Sequence, residues 1–185
     1  MALGNVTIEG AQLVLKNFTG RPGDFNAEGD RNVGVVLPDD LARQMIEDGW
    51  PVKQFKQNAD GEEGSFWIPA SVKYRNRLGE MVNRPPRIVM RTPTKHAGRI
   101  NRTDLGEKEV EMLDYANIKV ADIIIRPYEY IVQGRPGVKA YVQSLFATVE
   151  LDELELKYSD DLIAGGIGNE GESFSGGITV EEDYS

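Results

Sequence analysis

The chain has 185 residues, of which 40% are hydrophobic, enough for one domain with its own core followed by a tail. It has no cysteine and one histidine, His96, which excludes disulfides, thiolate chemistry and multi-histidine metal sites. No stretch approaches the roughly 20 apolar residues that span a bilayer, and the first residues do not resemble a signal peptide. We therefore expect a cytoplasmic protein that uses no cofactor or metal and does not bind a membrane.

The net charge of −9 is distributed unevenly along the chain. Residues 151–185 hold ten acids and one base, which accounts for the whole −9, so residues 1–150 are neutral. Within that neutral part, residues 73–102 carry nine bases and one acid, Glu80. A basic segment followed by an acidic one is typical of proteins that bind nucleic acid and are regulated by their tail.

The first third of the chain predicts two strands and one helix. Residues 5–18 read as a strand with a glycine bulge, residues 19–32 as a loop rich in Gly, Asp and Asn, and residues 33–37 as a short apolar strand. A helix of about ten residues should begin after Pro38, since acids follow it in the first turn, and should end at Gly49.

A strand candidate at residues 51–56 is followed by a clear alternation over residues 65–75. Pro69 within it indicates an edge strand or a bulge. One face of this strand should enter the core, and it consists of Phe66, Ile68, Ala70, Val72 and Tyr74. The opposite face should meet solvent, and it carries Trp67, Ser71, Lys73 and Arg75.

Residues 76–104 form a long, basic, polar segment with one brief alternation at 87–91, which we interpret as a functional or mobile connection. Residues 118–132 and 138–150 flank the turn QGRPG and predict a long hairpin. From residue 160 onward Gly, Glu, Asp and Ser dominate and predict a disordered acidic tail. The expected division is a domain over 1–158 and a tail over 159–185.

Six or seven strands with one short helix predict an all-β protein, either a small closed barrel or a sandwich. The single helix favours an OB-type five-stranded β-barrel with an extra hairpin or loop. Aromatic and basic side chains share the solvent faces of three strands, as a surface that stacks bases and follows phosphates requires. The residues that we predict to contact nucleic acid are Trp67, Lys73, Arg75, Arg87, Arg91, Arg126, Tyr128, Tyr130, Lys139 and Tyr141.

The same residues have a plainer interpretation, because an aromatic side chain on a strand belongs to the core more often than to a binding surface. Tyr74 fits a core role best, since the rest of its face is apolar. The sequence contains no phosphate-cradling glycine loop, and its carboxylate pairs lie at the helix start and in the tail. We therefore expect no enzymatic activity.

The predicted hairpin, over residues 124–151, resembles the last barrel hairpin of the T7-type phage single-stranded DNA-binding proteins. That family shows a Pro-Tyr pair, an aromatic residue two positions on, a turn, Val-Lys, and a closing Val-Glu-Leu. The residues that carry the resemblance are Ile124, Arg126, Pro127, Tyr128, Glu129, Tyr130, Gly137, Val138, Lys139, Ser144, Val149, Glu150 and Leu151.

The resemblance implies an OB-fold that binds single-stranded DNA during phage replication, recombination and repair in the host cytoplasm. It implies that Tyr128 stacks on a base and that Lys139 lies near the groove, and the segment with Phe66, Trp67 and Lys73 resembles the family's other aromatic-basic strand. The family's acidic tail competes with DNA and recruits replication proteins, although the tail here is sparser.

Two other functions stay open at this point. The first is a virion or regulatory protein that binds other proteins through a barrel or sandwich, which the acidic total charge would suit. The second is a nuclease that uses scattered acids and magnesium. The sequence also leaves the oligomeric state open between monomer and dimer.

Overall fold

The structure is a computed structural model that describes residues 3–24, 26–57, 59–94, 96 and 98–151. The chain divides into two compact units, the first formed by residues 1–90 and 103–149 and the second containing residues 91–102. The predicted tail, 159–185, lies outside the described residues, so the expected domain boundary stays a prediction.

The first predicted strand is present as two halves, β1 (Val6–Ala11) and β2 (Leu13–Asn17), with Gln12 between them. The predicted glycine bulge is confirmed, since Gly10 has a φ of 64° and lies within a register shift of β1. Because of this break, the two halves pair with different neighbours, as described below.

Strand β3 (Asn32–Leu37) leads into helix α1 (Asp39–Glu47), and both elements were predicted. Pro38 precedes the helix in an extended conformation and acids occupy its first turn, where the positive end of the helix dipole stabilises them. The helix ends before Gly49, whose φ of 95° is one that glycine adopts without strain.

Strand β4 (Lys53–Gln54) is much shorter than the predicted strand, whereas β5 (Phe66–Ser71) alternates between buried and half-buried side chains as expected. The edge-strand prediction from Pro69 is wrong, because β5 lies between β3 and β9 (Arg135–Val149), the last strand among the described residues. Pro69 is tolerated because β5 pairs with β4 only as far as Trp67 and with β9 at Ser71, so neither of these ladders includes Pro69.

The segment 76–104, for which the sequence pattern predicts a connection, contains a hairpin. Its strands are β6 (Arg87–Pro93) and β7 (Ile100–Leu105), and β6 also pairs with β9. Strand β7 was missed because only Leu105 is buried in it, so it carries no apolar alternation. A 3-10 helix, Glu109–Asp114, was also not predicted.

The long hairpin is confirmed as β8 (Ile118–Val132) and β9 (Arg135–Val149). Its turn is tighter than expected and consists of Gln133 and Gly134, with φ values of 52° and 77°. Two residues with positive φ are typical of the type I′ turn, whose twist matches that of the flanking strands.

The hydrogen-bonded path through the sheet runs β1-β8-β9-β5-β3-β2. The path begins at β1 and ends at β2, which follow each other in the chain as the two halves of the first predicted strand. Because β1 and β2 do not pair with each other along this path, the sheet is not a closed ring. Counting β1 and β2 as one bent strand leaves five principal strands, a partly open five-stranded barrel. The OB-type prediction is thereby confirmed, while a fully closed barrel is wrong because the path does not form a closed ring.

The core lies on the inner faces of these strands. Tyr74 belongs to it, as predicted, with 5% of its surface exposed, and burial raises the pKa of its hydroxyl to about 12. No helix within the described residues is long and apolar enough to cross a membrane. The largest fully buried side chains include Phe18, Met45, Ile68, Ile88, Leu113, Ile123, Ile125 and Leu145.

Candidate nucleic-acid interface

The distal part of the β8–β9 hairpin presents paired side chains on its outer face. The cross-strand pairs are Arg126 with Tyr141, Tyr128 with Lys139, and Tyr130 with Gly137. Residues two apart on a strand face the same side, so all of these side chains share one surface, as the sequence predicted. Tyr128 and Tyr130 are 52% and 40% exposed, which leaves their rings accessible.

The three tyrosines of the hairpin form a cluster. The Tyr128 ring stacks on that of Tyr130 with centroids 6.4 Å apart and meets the edge of Tyr141 at 5.9 Å. The guanidinium carbon of Arg126 and the Nζ atom of Lys139 lie 5.6 and 5.5 Å from the centroid of the Tyr141 ring. Cations and aromatic faces are therefore interleaved on one surface.

Gly137 has a specific role beneath this cluster. A Cβ atom added there would lie 2.5 Å from Cζ of Tyr130, a distance that no packed structure tolerates. The missing side chain thus lets the Tyr130 ring lie directly against the backbone of β9.

Trp67 lies on the outer face of β5, as predicted. Its ring stacks on Phe55 with centroids 5.6 Å apart, and the Nζ atom of Lys53 is 6.0 Å from its centroid. The indole reaches across to β3, where a Cβ atom at Gly34 would lie 2.9 Å from Cε3 of Trp67. A glycine again makes room for an outward-facing aromatic ring.

Two grooves cross this surface, and eight of the ten predicted residues line them. Lys73 lines both grooves, so they meet at its side chain. The larger groove has a volume of about 1120 Å³ and its lining includes Trp67, Lys73, Arg75, Tyr130 and Lys139. The smaller groove has a volume of about 340 Å³ and its lining includes Lys73, Arg126, Tyr128 and Tyr141.

Two of the predicted residues, Arg87 and Arg91, are not among those that line the grooves. Arg87 lines neither groove and instead packs over the ring of Phe146 at 5.5 Å, with its Nε atom 3.5 Å from Oδ1 of Asp104. Arg91 belongs to the second compact unit. Their basic charge alone did not indicate where the strands would place them.

The cations of the grooves differ in how far their charge is already compensated. Nε of Arg75 lies 3.0 Å from Oε1 of Glu107, and its Nη1 donates to the carbonyl of Gly79. By contrast, Lys73 and Lys139 form no ion pair within the described residues. The charge of these lysines is therefore not compensated by a carboxylate of the described residues and is available to a phosphate.

The rim of the larger groove is formed partly by the loop after β2, which Asp114 holds in place. Its carboxylate accepts hydrogen bonds from the backbone N–H of Phe18 at 2.8 Å and from both the N–H and Oγ1 of Thr19. Burial alone would raise the pKa of Asp114, yet these hydrogen bonds and the nearby Arg21 hold it below its usual range. The sequence carried no signal for this contact, because the partners are about 95 residues apart.

Several residues in or beside the grooves were not predicted from the sequence. Lys53 and Arg84 add cations to the grooves, and Leu15 contributes an apolar side chain. Phe55 lines neither groove but stacks on Trp67. Lys53 and Phe55 alternate within the strand candidate 51–56, so a signal for them was present. No group of three or more His, Cys, Asp or Glu side chains that could hold a metal occurs among the residues that the structure describes.

Residues 1–169 match the model of a protein family described as "Putative phage ssDNA-binding domain". The chain belongs to this family. The prediction of a phage single-stranded DNA-binding protein is thereby confirmed. No curated protein sequence matches the chain.

Solved structures of the single-stranded DNA-binding protein of bacteriophage Enc34 are also similar to this phage protein. The structure in complex with ssDNA is 12% identical, with a TM-score of 0.48, and the match covers 80% of this chain and 88% of that one. The C-terminal truncation is 12% identical, with a TM-score of 0.49 and coverages of 80% and 87%. The Enc34 protein alone is 13% identical, with a TM-score of 0.47 and coverages of 86% and 90%.

Proposed function

We propose that this protein binds single-stranded DNA without reading its sequence, with bases stacked on the aromatic rings of the two grooves and phosphates held by their lysines and arginines. The observation that carries the proposal is the convergence of the exposed tyrosines of β8 with Lys73, which follows β5, and Lys139 of β9 on one surface. Neither lysine forms an ion pair among the residues that the structure describes. Each stacked base contributes about 1–3 kcal/mol in such sites, whatever its identity.

The arrangement suits a flexible strand. The two grooves join at Lys73, so a strand could pass from the Trp67 region to the tyrosine cluster without leaving the surface. Rings on strands are held in place by the sheet, which limits the conformational entropy lost when bases stack on them. None of these contacts requires a particular base edge, which is why we propose binding without sequence choice.

Binding to an oligothymidine should weaken as salt rises, with a log–log slope of several units. Lys73→Ala should reduce the magnitude of that slope by about 1, because one phosphate contact is lost. Fluorescence anisotropy at four salt concentrations measures both quantities. Lys119→Ala, an exposed lysine of β8 that lines neither groove, is the matched control.

The same titration separates the alternatives. An unchanged slope for Lys73→Ala would remove Lys73 from the phosphate path but leave the function in place. Absence of binding to single-stranded and double-stranded oligonucleotides at low salt would contradict the proposed function and favour a protein–protein interaction module.

In this proposal the protein has no catalytic activity and protects single strands in the host cytoplasm during phage replication, recombination and repair. The acidic segment 159–185 competes with DNA for the basic grooves and recruits replication proteins, and the protein acts as a monomer or dimer. What supports the competition is the charge distribution, since residues 159–185 hold seven acids and no base whereas residues 1–150 are neutral.

Removal of residues 160–185 should tighten binding of an oligothymidine at low salt, since a competing polyanion is lost. Anisotropy titrations of the full chain and the shortened chain at 20 and 200 mM salt measure the effect, which should shrink at the higher salt. Unchanged or weaker binding at low salt would contradict the competition.

A further inference from the structure

Leu15 has a backbone conformation that leucine rarely adopts. Its φ is 50°, in the left-handed region that glycine reaches freely and a residue with a Cβ atom does not. Among the described residues, Gln133 is the one other non-glycine with positive φ, and the two-residue turn between β8 and β9 explains it. Leu15 instead lies inside strand β2.

The bulge at Leu15 affects the direction of the neighbouring side chain, Lys16. Val14 pairs with Gly34 and Asn17 pairs with Asn32, so Leu15 and Lys16 lie together opposite one residue of β3. The bulge lets Lys16 turn away, and its Nζ atom donates to the carbonyls of Leu113 and Ala116 at 2.8 Å each. A glycine at position 15 would permit the same backbone without strain.

The fold does not account for the leucine side chain. Leu15 is 61% exposed, so it contributes little to the core. It lines the larger groove together with Lys53 and Trp67. In the chain it follows Val14, which lies near the indole. A Cβ atom added at Gly34 would be 2.8 Å from Cγ2 of Val14 and 2.9 Å from Cε3 of Trp67. The exposed leucine therefore lines the same groove as the indole and directly follows a residue that lies near it.

We propose that Leu15 is a base-contacting residue, whose apolar side chain packs against an unstacked base of single-stranded DNA in the Trp67 region of the larger groove. The inference rests on the proposed function and adds to it a contact that is neither aromatic nor charged. An apolar side chain against a base face removes apolar surface of both from water.

The test is Leu15→Gly, which relieves the backbone strain and also removes the proposed contact with a base. The stability of the protein should therefore stay the same or rise while its affinity for DNA falls. The melting temperature should stay unchanged or rise by up to about 4 °C as the positive φ becomes unstrained. The Kd for an oligothymidine should rise by about tenfold, as expected for loss of roughly half of a leucine's apolar burial. The salt slope should not change, because no phosphate contact is lost.

Two variants complete the experiment. Gln133→Gly relieves the other positive φ outside both grooves and should leave the Kd unchanged. Leu15→Asn keeps a residue that tolerates positive φ and should weaken binding as Leu15→Gly does, which also provides the measurement if the glycine variant fails to fold. An unchanged Kd in a folded Leu15 variant, while the unaltered chain binds, would overturn the inference and leave the proposed function standing. If the unaltered chain itself does not bind, the proposed function fails.

Discussion

Replacement of Tyr128 with alanine is expected to weaken binding of single-stranded DNA by about 1–3 kcal/mol, roughly 5- to 150-fold in Kd. Tyr128 contacts the rings of both Tyr130 and Tyr141, and it is the most exposed of the three tyrosines at 52%. Its removal therefore takes away a stacking surface and also loosens the two rings beside it. Because the ring lies outside the core, we expect the melting temperature to change little.

The measurement is an anisotropy titration with a short oligothymidine, together with a thermal melt followed by circular dichroism. Tyr115→Ala is the matched control, since Tyr115 is 81% exposed, follows the 3-10 helix and lines neither groove. An unchanged Kd for a folded Tyr128→Ala protein would contradict the stacking role of the hairpin.

Gly137→Ala tests the same surface by adding a methyl group beneath the Tyr130 ring. The added methyl group would displace the Tyr130 ring, whose Cζ atom lies 2.5 Å from its position. The backbone of Gly137 is not in the left-handed region, so the substitution introduces no φ strain. If ring placement matters, this variant should also weaken binding, although no aromatic residue is lost.

Replacement of Asp114 with alanine is expected to lower the free energy of unfolding by about 2–4 kcal/mol. The Asp114 side chain is 2% exposed, and its loss leaves the N–H groups of Phe18 and Thr19 without their acceptor. Urea denaturation measures the change. Asp104→Ala, which removes a 72% exposed carboxylate from a pair with Arg87, should cost less than about 1 kcal/mol and is the control.

The contribution of Asp114 to the stability of the folded protein should decline as pH falls. Its pKa is lowered in the folded protein, so its stabilisation is fully present above the ordinary aspartate pKa of about 3.9 and declines as pH falls below that value. The stability difference between the unaltered chain and Asp114→Ala should therefore shrink between pH 5 and acidic conditions. An equal difference at both ends would show that the ionised carboxylate is not its source.

The loop held by Asp114 also forms part of the groove rim, which links stability to binding. Arg21 and Asn26 of this loop line the larger groove. The Asp114→Ala variant should therefore bind DNA more weakly than Asp104→Ala under conditions where both remain folded. This comparison distinguishes a loop that is only structural from one that shapes the site.

The sequence by itself determined the elements whose signal is local. Pro38 and Gly49 delimit helix α1, and the period-two alternations of β5 and of the β8–β9 hairpin assign each side chain to the core or to the outer face. These alternations were enough to predict the outward tyrosines and Trp67, because a strand buried on one face must place every second side chain outside.

Only the tertiary structure decided which of these outer faces meet. Strand β5 is brought beside β9 by the pairing of Ser71 with Tyr141, seventy positions apart in the chain, and no periodicity encodes that register. The same holds for Asp114 and its distant loop, and for Leu15, whose conformation depends on a bulge against β3. The packing of the whole core determines which remote strands pair and in which register. The grooves therefore form only when the sheet is assembled.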